Sequence, residues 1–113
     1  MIFRNLFGRP ALPGIGAPDA RARQQAGALI VDVREPHEWQ SGHIPGAVHI
    51  PLASLRTRLR DLDPQREVIV VCRSGNRSAA AVQLLQSAGY ATAQNLEGGM
   101  IAWSRHGLPV TRR

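Results

Sequence analysis

Apolar positions along the chain alternate between two rhythms. Val68-Ile69-Val70-Val71 is an unbroken run of β-branched residues, the pattern of a strand buried on both faces of a parallel sheet. Leu29 to Val33 reads the same way, and Ala47 to Ile50 is a shorter strand. Ala91 to Leu96 is polar enough to lie nearer the sheet edge, and Pro13 to Gly16 suits a short edge strand. Helical stretches fall between them. Pro18 to Ala26 opens on a proline with Asp19 in its first turn, and Gly27 ends it. Pro36 to Trp39 is a helical turn with Trp39 packed under it, and Leu55 to Arg60 is a helix that Ser54 can cap. Ser78 to Ala88 is strongly helix-forming with Gly89 placed to end it, and Met100 to Arg105 stops at Gly107 and Pro109. The expectation is a single α/β domain: a central, mostly parallel five-stranded sheet with helices on both faces.

At 113 residues the chain is large enough for one such domain, assigned to residues 15–113. Residues 1–14, broken by Pro10 and Pro13, are expected to be an N-terminal arm that docks on the domain or stays disordered. They lack the apolar core of a secretory signal. No apolar run approaches the ~20 residues of a membrane span. The tail beyond Pro109 is expected to be mobile.

The chemistry gathers after the Val68–Val71 strand. The only cysteine, Cys72, heads the loop Cys72-Arg73-Ser74-Gly75-Asn76-Arg77-Ser78, which leads into a helix. It therefore sits at the carboxyl end of a buried strand, where open α/β sheets bind ligands. A lone cysteine is in general a small buried hydrophobe, but the six residues that follow this one suit no apolar core. Gly75 can take a positive φ, and a tight loop of this kind turns successive N–H groups into an anion-binding nest backed by the helix N-terminus. Arg73 flanks the thiol and Arg77 lies in the first helical turn. A cation ~6 Å from the sulfur at an effective dielectric of ~20 contributes roughly 2–3 kcal/mol, and helix-end amides add about 1 kcal/mol. Cys72 is thus expected to be a nucleophilic thiolate in an anion cradle.

Cys-x-x-Gly-x-Arg-Ser after a Val/Ile strand resembles the active-site loop of single-domain rhodaneses, the rhodanese-like sulfurtransferases. Three further segments agree in order and spacing: Val31-Asp32-Val33-Arg34-Glu35; Gly42-His43-Ile44-Pro45-Gly46-Ala47 with Ile50-Pro51; and Leu96-Glu97-Gly98-Gly99-Met100 with Trp103. The resemblance implies the three-layer rhodanese fold, a persulfide on Cys72, and no cofactor. It implies a small sulfur-containing anion such as thiosulfate as donor, and cyanide or a thiol as acceptor. It also implies that Asp32 and Arg34 support the loops around the site; by themselves they read as a solvated pair.

Charge changes this picture little. All 14 basic residues are arginine, and the formal net charge is +6. Such a balance suits nucleic acid or small anions. The arginines are scattered, and aromatics make up only 4% of the chain with no stacking motif beside them, which argues for small anions and against nucleic acid. His37, His43 and His49 lack a metal-ligand spacing, so no metal site is expected. One cysteine allows no internal disulfide, which fits the cytoplasm. Two other functions compete with sulfur transfer from thiosulfate. One is a sulfur-relay or partner-docking module with a protein sulfur donor. The other is a cysteine phosphatase or arsenate reductase, whose loop carries one residue more than the four between Cys72 and Arg77.

Overall fold

The computed structural model describes residues 13–113. Its core is a five-stranded sheet in which every ladder is parallel: β1 (Gly14–Ile15), β2 (Leu29–Asp32), β3 (Val48–His49), β4 (Val68–Val71) and β5 (Gln94–Leu96), in the order β1-β5-β4-β2-β3. The residues of the expected arm up to 12 lie outside the described residues. Pro13 precedes the sheet, and Gly14 already belongs to its edge strand.

Period-2 alternation along β4 divides the core. Val68, Val70 and Cys72 pack on one face with Leu55, Leu62, Ala81, Val82 and Leu85; Ile69 and Val71 pack on the other with Ala17, Ala20, Met100 and Trp103. The first face is covered by α3 (Leu52–Leu55), the 3-10 helix Arg56–Asp61 and α4 (Asn76–Ser87), the second by α1 (Ala17–Gln25) and α5 (Gly99–Arg105). The expected α/β fold with helices on both faces is present. α2 (Pro36–Gln40) sits at the carboxyl end of β2. Among the described residues, no helix is long and apolar enough to cross a membrane.

Two local expectations are corrected. The helix expected over Leu55–Arg60 starts earlier, at Leu52, whose N–H donates to the Val33 carbonyl (3.0 Å) and ties the start to the end of β2. Ser54 therefore lies inside it and makes no cap, and the chain tightens into a 3-10 helix with Arg58 off helical geometry. The tail is not loose: Thr111 and His43 exchange two backbone hydrogen bonds of 2.8 Å, and the Trp103 indole donates to the Pro109 carbonyl (2.8 Å).

Candidate active site

Cys72 follows β4, and its side chain points to the α4 face. Two glycines shape the loop around it. Gly75 takes φ +111° and becomes the N-cap of α4, a conformation that a Cβ would strain. Gly99, at φ +55°, lies so close that a Cβ there would overlap the Cys72 and Arg73 carbonyls. The two amides that follow it, of Met100 and Ile101, donate to those same carbonyls at 2.8 and 3.1 Å. The start of α5 thus holds two loop carbonyls outward. Only glycine at position 99 allows so close a backbone approach.

The sulfur is almost wholly covered, with Cys72 1% exposed. Hydrocarbon from Val33, Val70 and Ala81 belongs to its cluster, yet polar groups reach it too. The Gly75 N–H donates to Sγ at 3.1 Å, and the Ser78 hydroxyl lies 3.2 Å away. Burial pushes the thiol pKa up. The Ser78 hydroxyl and the amides of Ser78, Gly75 and Ser74 outweigh it, and the pKa falls below that of an ordinary thiol.

The arginines are not the main source of that shift. Arg77 is turned to α2, where Nη1 and Nη2 donate to Glu38 Oε1 (2.6 Å) and Oε2 (2.8 Å). A carboxylate thus already balances the guanidinium expected to face the thiol, and Arg73 is exposed. Glu38 also accepts from the Glu35 N–H at 3.0 Å and so starts α2. The Arg77 hydrogen bonds, opposed by partial burial and aided by that amide, bring the Glu38 pKa from 4.5 to about 2. A lowered carboxyl pKa contributes stability that is complete above pH 4.5 and is lost as pH falls toward about 2. Glu38→Gln is therefore expected to flatten the acid limb of stability across that window, as urea midpoints between pH 5 and pH 2.5 would report. An unchanged limb would show the pair to be solvent-screened.

Asp32 and Arg34, legible from the sequence alone as a solvated pair, are buried. Arg34 donates through Nε and Nη2 to the Asp32 carboxylate (2.8–3.1 Å) and through Nη2 to the Gly42 carbonyl (2.8 Å). Asp32 is in register with Val71, so the pair lies one strand away from the Cys72 loop. Ser74 and Asn76 are exposed on the loop, and Gly75 and Ser78 are buried. A groove of about 400 Å³, lined by Arg34, Glu38, Arg73, Met100 and Ile101 among others, opens beside the loop. A larger one of about 810 Å³, between α3 and α4, includes none of the loop residues.

Trp39 stacks on two of the three histidines weighed as ligands, at centroid distances of 3.5 Å for His43 and 4.8 Å for His49. Their ring nitrogens face the carbonyls of Trp39 and Arg34 (2.8 and 2.7 Å). His37 is exposed, and no group of three metal-ligating side chains converges among the described residues. Sequence reasoning missed two polar residues, Glu38 and Asn95. The Asn95 Oδ1 lies 2.5 Å from the Ser78 hydroxyl, and its Nδ2 donates to the Gly75 carbonyl (3.1 Å).

The family model of the rhodanese-like domain matches residues 17–106, a span that runs from the start of α1 to the end of α5. The chain belongs to the rhodanese-like family. A sulfurtransferase of Allochromatium vinosum is 44% identical over 82 residues, which cover 73% of this chain and 77% of that protein. A rhodanese-related protein of Thermoplasma volcanium superposes with a TM-score of 0.84 at 35% identity, covering 89% of this chain and 99% of that one. The family domain also occurs within larger proteins: an HTH-type transcriptional regulator of Mycobacterium tuberculosis is 40% identical over 92 residues, which span only 40% of its length.

Proposed function

We propose that this rhodanese-like protein is a sulfurtransferase that carries a sulfane sulfur as a persulfide on Cys72. The observation that carries the reading is the Gly75 N–H donated to a sulfur on the carboxyl end of β4, with the Ser78 hydroxyl 3.2 Å from that sulfur and the loop carbonyls held by α5. The thiolate attacks the outer sulfur of a donor such as thiosulfate. The donor S–S bond breaks, its electron pair leaves on sulfite, and Cys72 keeps the transferred sulfur as S–S⁻. Cyanide or a thiolate then attacks the outer sulfur and returns Cys72 to the thiolate. A relative named as a sulfurtransferase supports this reaction class. Arg73 and the loop from Ser74 to Ser78 form the cradle for the anion, while Asp32 and Arg34 hold the adjacent strand end. With no second cysteine to resolve it, the persulfide waits for an external acceptor, as suits a reducing compartment such as the cytoplasm.

The relay reading, with a protein persulfide as donor, is favoured by one feature: Arg77, expected to help hold a small anion, is already paired with Glu38. Intact mass after thiosulfate treatment tests the reaction. The expected result is a gain of about 32 Da that cyanide removes. No gain with thiosulfate but a gain with a protein persulfide would favour the relay; no gain with either would overturn sulfur transfer.

A further inference from the structure

The Ser78 hydroxyl lies between Cys72 and Asn95 of β5. Ser78 has one hydroxyl hydrogen and two claimants for it, Asn95 Oδ1 at 2.5 Å and Cys72 Sγ at 3.2 Å. The amide of Asn95 cannot be turned round without penalty, because Nδ2 donates to the Gly75 carbonyl and the reverse orientation would set oxygen against oxygen. With the hydroxyl on Asn95, the lone pairs of Ser78 Oγ face the sulfur. That arrangement accepts from an S–H and opposes an S⁻. For the hydroxyl to support S⁻ beside the Gly75 N–H, it must swing to the sulfur, which leaves two oxygen acceptors facing each other with no hydrogen between them.

The geometry points to Asn95 as a positioning residue that acts through Ser78 to restrain ionisation of Cys72 and to favour the persulfide over the bare thiolate. In a persulfide the charge sits on the outer sulfur, the inner sulfur is uncharged, and the Ser78 hydroxyl can return to Asn95. This rests on Cys72 being the nucleophile. The other polar and charged groups around the sulfur are the loop amides, Arg73 exposed beside it, and Arg77 of α4 paired to Glu38 of α2; the Asp32–Arg34 pair closes on itself at the end of β2.

Alkylation by iodoacetamide as a function of pH gives a test by sign. If Asn95 merely props up the loop through Gly75, its loss loosens the amide cradle and the pH midpoint rises. If it competes for the Ser78 hydroxyl, Asn95→Ala lowers the midpoint, with about fivefold faster alkylation two pH units below it. Asn95→Leu, closer in volume, repeats the measurement should the alanine variant fail to fold. In a Ser78→Ala background the same substitutions are expected to have no effect, since the shared hydrogen is gone. A rise or no change in the Asn95 variants, or an equal fall without Ser78, overturns the proposal. A midpoint of the unaltered protein at or above that of a free thiol would instead overturn the thiolate reading, whatever Asn95 does.

Discussion

Cys72→Ser is expected to abolish sulfur transfer, by at least about a thousandfold, while leaving the fold in place. A serine hydroxyl is far less acidic than a thiol, and the loop amides that favour S⁻, the Gly75 N–H at 3.1 Å among them, cannot ionise it near neutral pH. No other thiol exists in the chain to substitute. Serine is smaller than cysteine but can accept the same amide hydrogen bond, so folding stability should change by no more than about 1 kcal/mol. Turnover of thiosulfate and cyanide, read beside urea unfolding, separates the two effects. Residual transfer above a hundredth of the original rate would mean that another group carries the sulfur.

Arg34→Met is expected to give the largest loss of stability, about 3–5 kcal/mol, because it strands a carboxylate rather than removing a surface ion pair. Asp32 is fully buried and Arg34 is 5% exposed. Without the guanidinium, the Asp32 carboxylate keeps only the hydrogen bond from the Arg34 backbone N–H (2.9 Å). The Gly42 carbonyl loses its donor as well, next to the His43–Thr111 bridge that pins the tail. A domain of this size has about 5–15 kcal/mol in total, so the variant should stand near its unfolding midpoint at moderate urea. Adding Asp32→Asn should restore part of the loss, because the stranded charge is gone. A loss under about 1 kcal/mol would show that water reaches the pair and screens it.

The difference between Asp32–Arg34 in the sequence and in the fold illustrates what local reading misses. Two residues apart, they look like any charged loop pair; only the packing of β3 and the Gly42 turn against β2 buries them. Glu38 and Arg77 are separated by 39 positions and Ser78 and Asn95 by 17. Neither pair has a local signature, since each partner sits in an ordinary helical turn or strand. The surroundings of Arg77 were hidden for the same reason: a guanidinium near a thiol is visible in the loop sequence, but the carboxylate that pairs with it comes from α2.

Short-range rules were enough for the rest of the architecture. β-branched runs can be buried on both faces only within a covered parallel sheet, so β2 and β4 were evident, and proline and glycine punctuation bounded α1, α4 and α5. The same rules put Cys72 at a strand end before a tight, glycine-bearing turn, because backbone conformation depends on near neighbours. The Gly75 N–H reaches that sulfur within the loop itself, but how the loop carbonyls and the Ser78 hydroxyl are held was decided by the tertiary structure. Gly99 admits the α5 backbone against the loop carbonyls and Asn95 reaches Ser78 from β5; hydrogen bonds act over about 3 Å, and only folding brings residues so distant in the chain within that reach.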